Sequence, residues 1–292
     1  TPCTLDSGFY QIETMLQASN TIIIDPPGEL SASRVILDHE RWEQTFVFRI
    51  GTGLKTDLAL TFRYVEEGPG NWDKILREYH QKIGLPYAAR KYQQNVKYRY
   101  WQYNPDTQEK IEITAPQSGI GDTVLSFRHE LKKTKIWENP IRWGWRIEFK
   151  QPSNSDLPTI SSGNSDIGLG LLASTSVNIS DYPSAFWLNI GAVRPGKTKH
   201  KVYPQKQTFF SGGTGMNADL SDTWNAAVQI LGASARYQVP DSVRGLDHRQ
   251  TILVIGLRHF IGAHSFSLGF TEDIDYFSSD DISLLIGWQF SG

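Results

Sequence analysis

The sequence predicts an all-β fold over residues 1–292. We expect a single antiparallel transmembrane β-barrel of about 12 strands, with a short helix in an external loop. Many segments alternate apolar and polar side chains with a period of two, the period of a β-strand. Aromatic residues make up 12% of the chain, enough for girdles at both membrane interfaces. No stretch approaches the roughly 20 apolar residues that a membrane-spanning helix needs.

The alternation is clearest at residues 142–150 and is repeated at 282–290. In the first segment the odd positions are large and apolar, while the even positions, apart from Gly144, are charged. One face therefore suits hydrocarbon and the other suits water, as a single closed sheet in lipid requires. The residues that we expect to face lipid include Leu60, Phe62, Trp145, Ile147, Leu284 and Ile286.

Turn signals between the alternating segments divide the chain into strands. The predicted strands are 9–24, 33–50, 56–65, 95–103, 120–131, 141–150, 165–176, 184–193, 224–238, 249–260, 264–271 and 281–290. An even number fits a single-chain barrel with both termini in the periplasm, short periplasmic turns and longer external loops. Residues 194–223 resist this scheme, because they would form a long periplasmic connection. Either that loop is unusual or the strand prediction fails there.

A helix is predicted in the first long external loop, from an N-cap at Asn71 to a stop at Gly84. Its apolar stripe marks a candidate gate helix. The stripe includes Trp72, Leu76, Tyr79 and Ile83. Two roles remain open for it, because an amphipathic helix could cover the mouth of the barrel or pack against its outer edge.

Charged side chains collect on the face that we expect to line the lumen. The predicted charge network consists of Arg63, Arg99, Arg128, Glu130, Arg146 and Glu148. Rings of charge tune the selectivity of pores, so this lining would favour anionic or zwitterionic solutes. The preferred interpretation is a lattice of ion pairs that closes a narrow lumen.

Other classes of function find less support in the sequence. The net charge is −2 and no run of Lys or Arg is present, so we expect no nucleic-acid partner. No zinc-ligand spacing occurs, and we expect no metal and no cofactor. A lipid-modifying enzyme needs a Ser within reach of a His, but His264 and Ser267 would face opposite sides of one strand. We therefore do not expect an enzyme, although residues from different strands could still meet.

Several segments resemble a known family. Leu37–Trp42, Phe46–Leu54, Asn71–His80, Ile83–Leu85, Phe270–Ile274 and Ser279–Ser283 are similar to an uncharacterised family of proteobacterial proteins, known as a domain of unknown function. The resemblance implies an outer-membrane barrel, loosely related to barrels encoded near phenol meta-degradation pathways, and supplies no catalytic residues. The closing segment also resembles the signal read by the barrel-assembly machinery, but Ser291 and Gly292 follow its aromatic Phe290.

These observations lead to a functional expectation. We expect a protein of the Gram-negative outer membrane, exported with a cleaved signal peptide, that acts as a passive channel or transporter for a small apolar or aromatic solute. The expected partners are outer-membrane lipid, lipopolysaccharide, the barrel-assembly machinery and that solute. The alternatives are a structural or adhesive barrel with a plugged lumen and, less favoured, a lipid-modifying outer-membrane enzyme.

Overall fold

Twelve antiparallel strands close into one ring. The computed structural model describes residues 4–25, 34–70, 72–84, 98–136, 139–153, 157–197, 202–239, 243, 246, 248–274 and 282–292. Sixteen strands join in one sheet, and removing the four short strands beside the wall leaves twelve in the ring. The first wall strand pairs with both the second and the last, so the ring has no free edge. Closure matters because an unpaired edge in hydrocarbon would leave backbone groups without partners.

The wall strands run along nearly the whole chain. They are β1 (Tyr10–Asp25), β2 (Val35–Gly53), β3 (Thr56–Gly68), β7 (Thr123–Glu130), β9 (Asn139–Gln151), β10 (Asp166–Ile179), β11 (Tyr182–Arg194), β12 (Phe209–Asp219), β13 (Trp224–Ala233), β14 (Gln250–Ile261), β15 (His264–Asp273) and β16 (Ile282–Ser291). The short strands are β4 (Arg99–Tyr103), β5 (Lys110–Ile113), β6 (Gln117–Ile120) and β8 (Thr134–Ile136), and the helix is α1 (Asp73–Ile83).

The outer face of the ring is apolar and exposed. Leu60, Phe62, Leu284 and Ile286 lie on it, as the alternation predicts, and each is at least 38% exposed. Trp145 is on the same face, with its ring 5.3 Å from that of Phe127. A water-soluble protein rarely exposes so large an apolar surface. A continuous belt of this kind is what contact with lipid requires.

The two ends of the barrel differ in the length of their connections. At the short-turn end, strands join through tight turns such as Leu54–Lys55, where both residues have positive φ. At the loop end, the connections are longer, and the one between β3 and β7 contains α1, β4, β5 and β6. Among the residues that the structure describes, no helix is long and apolar enough to cross a membrane.

Two strand predictions were wrong, and the errors cancel in the count. The predicted strand 95–103 is not part of the wall, because its described portion, β4, pairs with the end of β2 and with β5. Residues 194–223 contain an unpredicted wall strand, β12. Its pattern is weak because glycines replace large side chains. A Cβ on Gly215 would lie 2.8 Å from the indole of Trp187 in β11. Glycine at this position therefore leaves room for the ring.

A cap covers the lumen at the loop end. It consists of β4, β5 and the ends of β1 and β2 (residues 20–25 and 35–39). In it, Ile23 and Val35 pack against Val202 and Tyr203, which lie in the connection between β11 and β12. That connection is on the opposite side of the ring from β2. The cap therefore crosses the lumen and rests on the far wall.

Candidate functional site

A cavity of about 500 Å³ lies in the lumen beneath the cap. Its lining comes from both halves of the wall and from the cap, so it spans the interior of the ring. The two sides of this lining differ in chemistry. The strands from β2 to β10 contribute mainly charged groups, which are Arg41, Arg63, Glu148, Lys150 and Asp166. The opposite side contributes mainly apolar and aromatic groups, which are Val193, Tyr203, Phe209, Ala233 and Tyr237.

One buried carboxylate organises the short-turn end of the lumen. The side chain of Asp57 is 2% exposed, and one oxygen lies 2.6 Å from Arg49 and 3.1 Å from Arg128. The backbone N–H of Leu5 donates to the same carboxylate at 3.3 Å. Two cations and one backbone donor therefore stabilise a single buried negative charge.

A second group of ion pairs lines the cavity itself. Lys150 lies 3.1 Å from Asp122 and 2.5 Å from Asp166. Hydroxyl groups of Ser161 and Ser162 also donate to Asp122, at 2.5 and 2.8 Å. Burial alone would raise the pKa of the Asp122 carboxyl, but these donors and Lys150 hold its pKa below the usual value. Asp122 is therefore an anion whose acceptor positions are already used.

A third group of ion pairs contains Arg41 and Arg63, which both line the cavity. Arg41 bridges Glu43 at 2.8 Å and Glu67 at 3.0 Å. Arg63 approaches Glu43 only to 3.5 Å, and its side chain is 31% exposed. Glu67 also accepts a 3.2 Å hydrogen bond from Tyr98. Arg41 is thus held by two carboxylates, whereas Arg63 is held loosely by one.

The six charged residues singled out from the sequence do not form one network. Arg146 and Glu148 pair directly at 3.3 Å, whereas Arg63 and Arg128 use acids outside the predicted set. Glu130 is at the short-turn end of β7. Arg99 departs furthest from the predicted position in the lumen wall. It lies in β4 of the cap and pairs with Glu112 at 3.1 Å.

The sequence pattern did not identify several of the residues that pair with these charged groups. Alternation places Arg49 and Asp57 on the inward face but does not show that they meet. The short turn between β2 and β3 could have revealed the pair, because it sets Gly51 opposite Asp57 and brings Arg49 diagonally across. Glu43 and Glu67 were missed because nothing in their own segments distinguishes them from other strand residues.

The candidate gate helix α1 begins beside the outer face of the wall. The ring of Trp72 lies 6.2 Å from that of Trp42, edge to face, and the backbone N–H of Trp72 donates to Glu40. Leu76 is buried. Burial, together with the negative charge of Glu272 in β15, raises the pKa of Tyr79.

The contacts of Trp72 place the start of the helix against the outer face of β2, so the geometry there favours packing at the rim over covering the mouth. The predicted N-cap, Asn71, and the side chain of Ile83 lie outside the described residues. Whether α1 moves when a solute passes stays a prediction.

Three histidines lie among aromatic rings at the short-turn end. His264 contacts Trp288 and Phe290, with centroids 5.9 and 5.1 Å apart, and His259 stacks on Trp224 at 4.4 Å. His129 lies beside Trp145. This arrangement is typical of an aromatic girdle at a membrane interface. Within the described ranges, no cluster of His, Cys, Asp and Glu could hold a metal ion.

Comparisons with known proteins agree with this architecture. A family model described as "Protein of unknown function (DUF3187)" matches residues 1–291. The COG4313 outer membrane channel from Pseudomonas putida F1 has a similar structure, with a TM-score of 0.63 and 11% identity over 99% of this chain and 97% of that one. The translocator domain of the autotransporter NalP from Neisseria meningitidis matches with a TM-score of 0.45 and 12% identity, over 98% and 89% of the two chains. No curated protein matches by sequence.

Proposed function

Because the chain belongs to this family of unknown function, its role has to be argued from its geometry, and we propose that it is a passive channel for a small solute in the Gram-negative outer membrane. The observation that carries this proposal is the cavity of about 500 Å³ inside a closed wall with an apolar outer face. Pockets for small molecules typically measure about 300–1,000 Å³. The cavity is therefore of a size to hold one small solute at a time.

The asymmetry of the cavity bears on which solutes could pass. Large apolar side chains on the inner wall, such as Phe209 and Val193, face a half lined by ion pairs. A strongly hydrated ion would gain little from the apolar side chains, and a purely apolar molecule would gain nothing from the ion pairs. The lining supports a solute that carries an apolar or aromatic part.

The cap bears on how such a solute could enter. Tyr203 and Asn104 each make a hydrogen bond between the cap and the far wall, at 2.6 and 2.8 Å. Two hydrogen bonds of this kind contribute roughly 1 kcal/mol each, in addition to the buried cluster that joins the cap to this connection. We propose that passage involves displacement of the cap, so that the channel conducts weakly at rest.

The same cap supports the second candidate, a structural barrel with a plugged lumen. Its buried cluster with Val202, Tyr203 and Val243 is well packed, as a permanent plug would be. The two candidates differ in a measurable property, because only a channel lets solute cross the membrane. A lipid-modifying enzyme has less support, since His264 lies among outward aromatic rings and Ser267 lies on the opposite face of β15.

Planar-bilayer conductance and solute uptake into vesicles test the proposal. We expect small, discrete conductance steps from the purified barrel, and larger or more frequent steps from a double variant that loosens the cap, Y203F with N104A. A matched control is Tyr182→Phe, an exposed tyrosine at the short-turn end. Absence of conductance and of uptake in both the wild type and the double variant would reject the channel and support the plugged barrel.

The gate role of α1 has its own test. A disulfide engineered between α1 and the end of β2, in a chain whose native Cys3 is replaced, would hold the helix at the rim. Conductance that falls when the disulfide forms and recovers on reduction would support a moving gate. Conductance that does not change would leave α1 as a structural part of the loop.

Location and assembly follow from the same proposal. The apolar belt would contact outer-membrane lipid and lipopolysaccharide, and the last strand, β16, would be recognised by the barrel-assembly machinery during insertion. Export would use a signal peptide that is cleaved. Fractionation of cells that express the full-length gene, with mass spectrometry of the mature N-terminus, checks both points. Recovery in the soluble fraction would contradict them.

A further inference from the structure

We infer that the cavity beneath the cap binds a small organic acid with an apolar body, and that Arg63 holds its carboxylate. This inference rests on the proposed function, since it names the class of solute for the same cavity. It depends on which charged groups in the lining still have unused hydrogen-bonding capacity. It also depends on which surface lies opposite them.

Asp122 and Asp166, two of the three carboxylates that line the cavity, already have donors on both oxygens. Besides Asp122, whose partners are described above, Asp166 accepts from Lys150 at 2.5 Å, from the Asn164 amide at 2.6 Å and from the backbone N–H of Gly196 at 3.1 Å. Glu148 accepts from Ser126 at 3.1 Å and pairs with Arg146 at 3.3 Å. Both of those contacts use Oε1 of Glu148. A cationic solute would therefore have to displace existing partners before it could bind Asp122 or Asp166.

The cations of the cavity are in a different position. Arg63 carries five N–H donors in a planar fork that suits a carboxylate. Among the described residues, its guanidinium pairs only with Glu43, at the long distance of 3.5 Å. The guanidinium of Arg236 lies 5.2 Å above the ring of Phe209, and it pairs with no carboxylate in the described part of the chain. Spare donors on these two arginines, beside two carboxylates that already have partners, favour an anion.

The apolar side of the cavity provides for the rest of the ligand. Phe209, Val193 and Ala233 lie on the strands across the lumen from β3, which carries Arg63. A ligand that spans the cavity would place its charged end at Arg63 and its hydrocarbon against these side chains. Burying hydrocarbon there is favourable because it removes apolar surface from water. An inorganic anion would gain only the first contact, and an alcohol of the same shape only the second.

Equilibrium binding to the purified, folded barrel in a non-ionic detergent tests this inference. Hexanoate, hexan-1-ol and acetate serve as probes, followed by isothermal titration calorimetry. We expect hexanoate to bind more tightly than either of the other two. Charge-assisted hydrogen bonds contribute about 1.5–3 kcal/mol, so R63Q should weaken hexanoate binding by about tenfold or more and leave hexan-1-ol unchanged.

Two further variants keep the result interpretable. R258Q removes a positive charge from the inward face of β14, away from the cavity lining, and should bind hexanoate as the wild type does. F209A should weaken both hexanoate and hexan-1-ol. A heat-dependent shift in gel mobility confirms that each variant is folded. Equal affinity for hexanoate and hexan-1-ol, or unchanged hexanoate binding in folded R63Q, would overturn the inference.

The outcome is separable from that of the channel proposal. Selective hexanoate binding without conductance or uptake would reject the channel and leave the binding site in place. Conductance without any preference for hexanoate would support the channel and overturn the organic-acid site. Binding is measured at equilibrium in detergent and flux is measured across a membrane, so neither result determines the other.

Discussion

The phenol of Tyr203 donates a 2.6 Å hydrogen bond to the backbone carbonyl of Tyr103. The two residues are 100 positions apart in the chain, and they join the cap to the connection between β11 and β12. The ring of Tyr203 also belongs to the buried cluster that contains Ile23 and Val35. The cap is thereby attached to the far wall, and the strength of this attachment can be probed through one side chain.

Replacing this tyrosine by phenylalanine should loosen the cap without emptying the cluster. Y203F keeps the ring and removes one hydrogen bond, which costs about 1 kcal/mol. We expect faster hydrogen exchange at the amides of β4 and β5 and unchanged exchange in the wall strands. Y182F, at the opposite end of the barrel, is the control. Equal exchange in β4 in the wild type and Y203F would show that the bond does not hold the cap.

The phenol of Tyr203 should lose its proton at a higher pH than an ordinary tyrosine. Burial raises the pKa of Tyr203 from 10.0 to about 12, because the charged phenolate is poorly solvated in the cluster. The protonated form is favoured by folding, so its contribution to stability is complete below pH 10 and is lost as the pH rises through about 12. Subtracting the ultraviolet titration curve of Y203F from that of the wild type should show a midpoint near the higher value. A midpoint at the ordinary value would contradict the burial.

The buried carboxylate at the short-turn end should be essential for stability. D57N would leave Arg49 and Arg128 facing each other around a neutral amide, and breaking a buried ion pair typically costs about 3–5 kcal/mol. The control is D219N, because Asp219 accepts its 2.8 Å hydrogen bond from the Asn225 amide at an exposed position. Reversible unfolding from lipid vesicles gives both values. A D57N barrel as stable as D219N would show that the charge cluster contributes little.

Gly215, which lies against the indole of Trp187, should not tolerate a side chain. In G215A, the new methyl group would lie 2.8 Å from both the indole of Trp187 and the carbonyl of Val228. Overpacking of this kind typically costs about 1–3 kcal/mol. In G232A, the nearest atom would be 3.5 Å away, and we expect little change. Urea unfolding of the two variants makes the comparison, and equal stability would argue against the close approach.

A charged side chain on the lipid face should destabilise the barrel strongly. Ile147 lies in the middle of β9 on the outer face, opposite Phe127 and Leu169 of the flanking strands. I147R should cost about 2–4 kcal/mol if this position is near the bilayer midplane. S126R places the same group in the lumen, where Glu148 is 3.1 Å from the native hydroxyl. We expect a much smaller loss there, and similar losses at both positions would mean that the faces are misassigned.

The architecture was largely readable from local pattern. Alternation identified the lipid face at Leu60, Phe62 and Ile286, because a strand presents successive side chains to opposite faces whatever its neighbours are. The same rule placed Arg128 and Arg146 in the lumen. It failed at β12, where glycine carries no polarity signal. It also failed at 95–103, where alternation shows a strand but not which sheet edge it joins.

The pairing of charges was decided by tertiary structure. Periodicity states which way a side chain points, but ion pairs depend on the register between strands and on the closure of the ring. Arg128 therefore pairs with Asp57, 71 positions away, which its own strand could not indicate. The cavity exists for the same reason, since its two sides come from strands that are distant in the chain.

The sequence by itself determined that this chain forms a barrel, which face meets lipid and which end carries the long loops, because these follow from side-chain period and turn length. Only the tertiary structure decided that the ends of β1 and β2 fold over the lumen with β4 and β5. It also decided that Tyr203 anchors them to the far wall and that Arg63, beside the cavity, lies 3.5 Å from the carboxylate of Glu43. Those features depend on contacts between segments far apart in the chain, and such contacts leave no periodic signal in either segment.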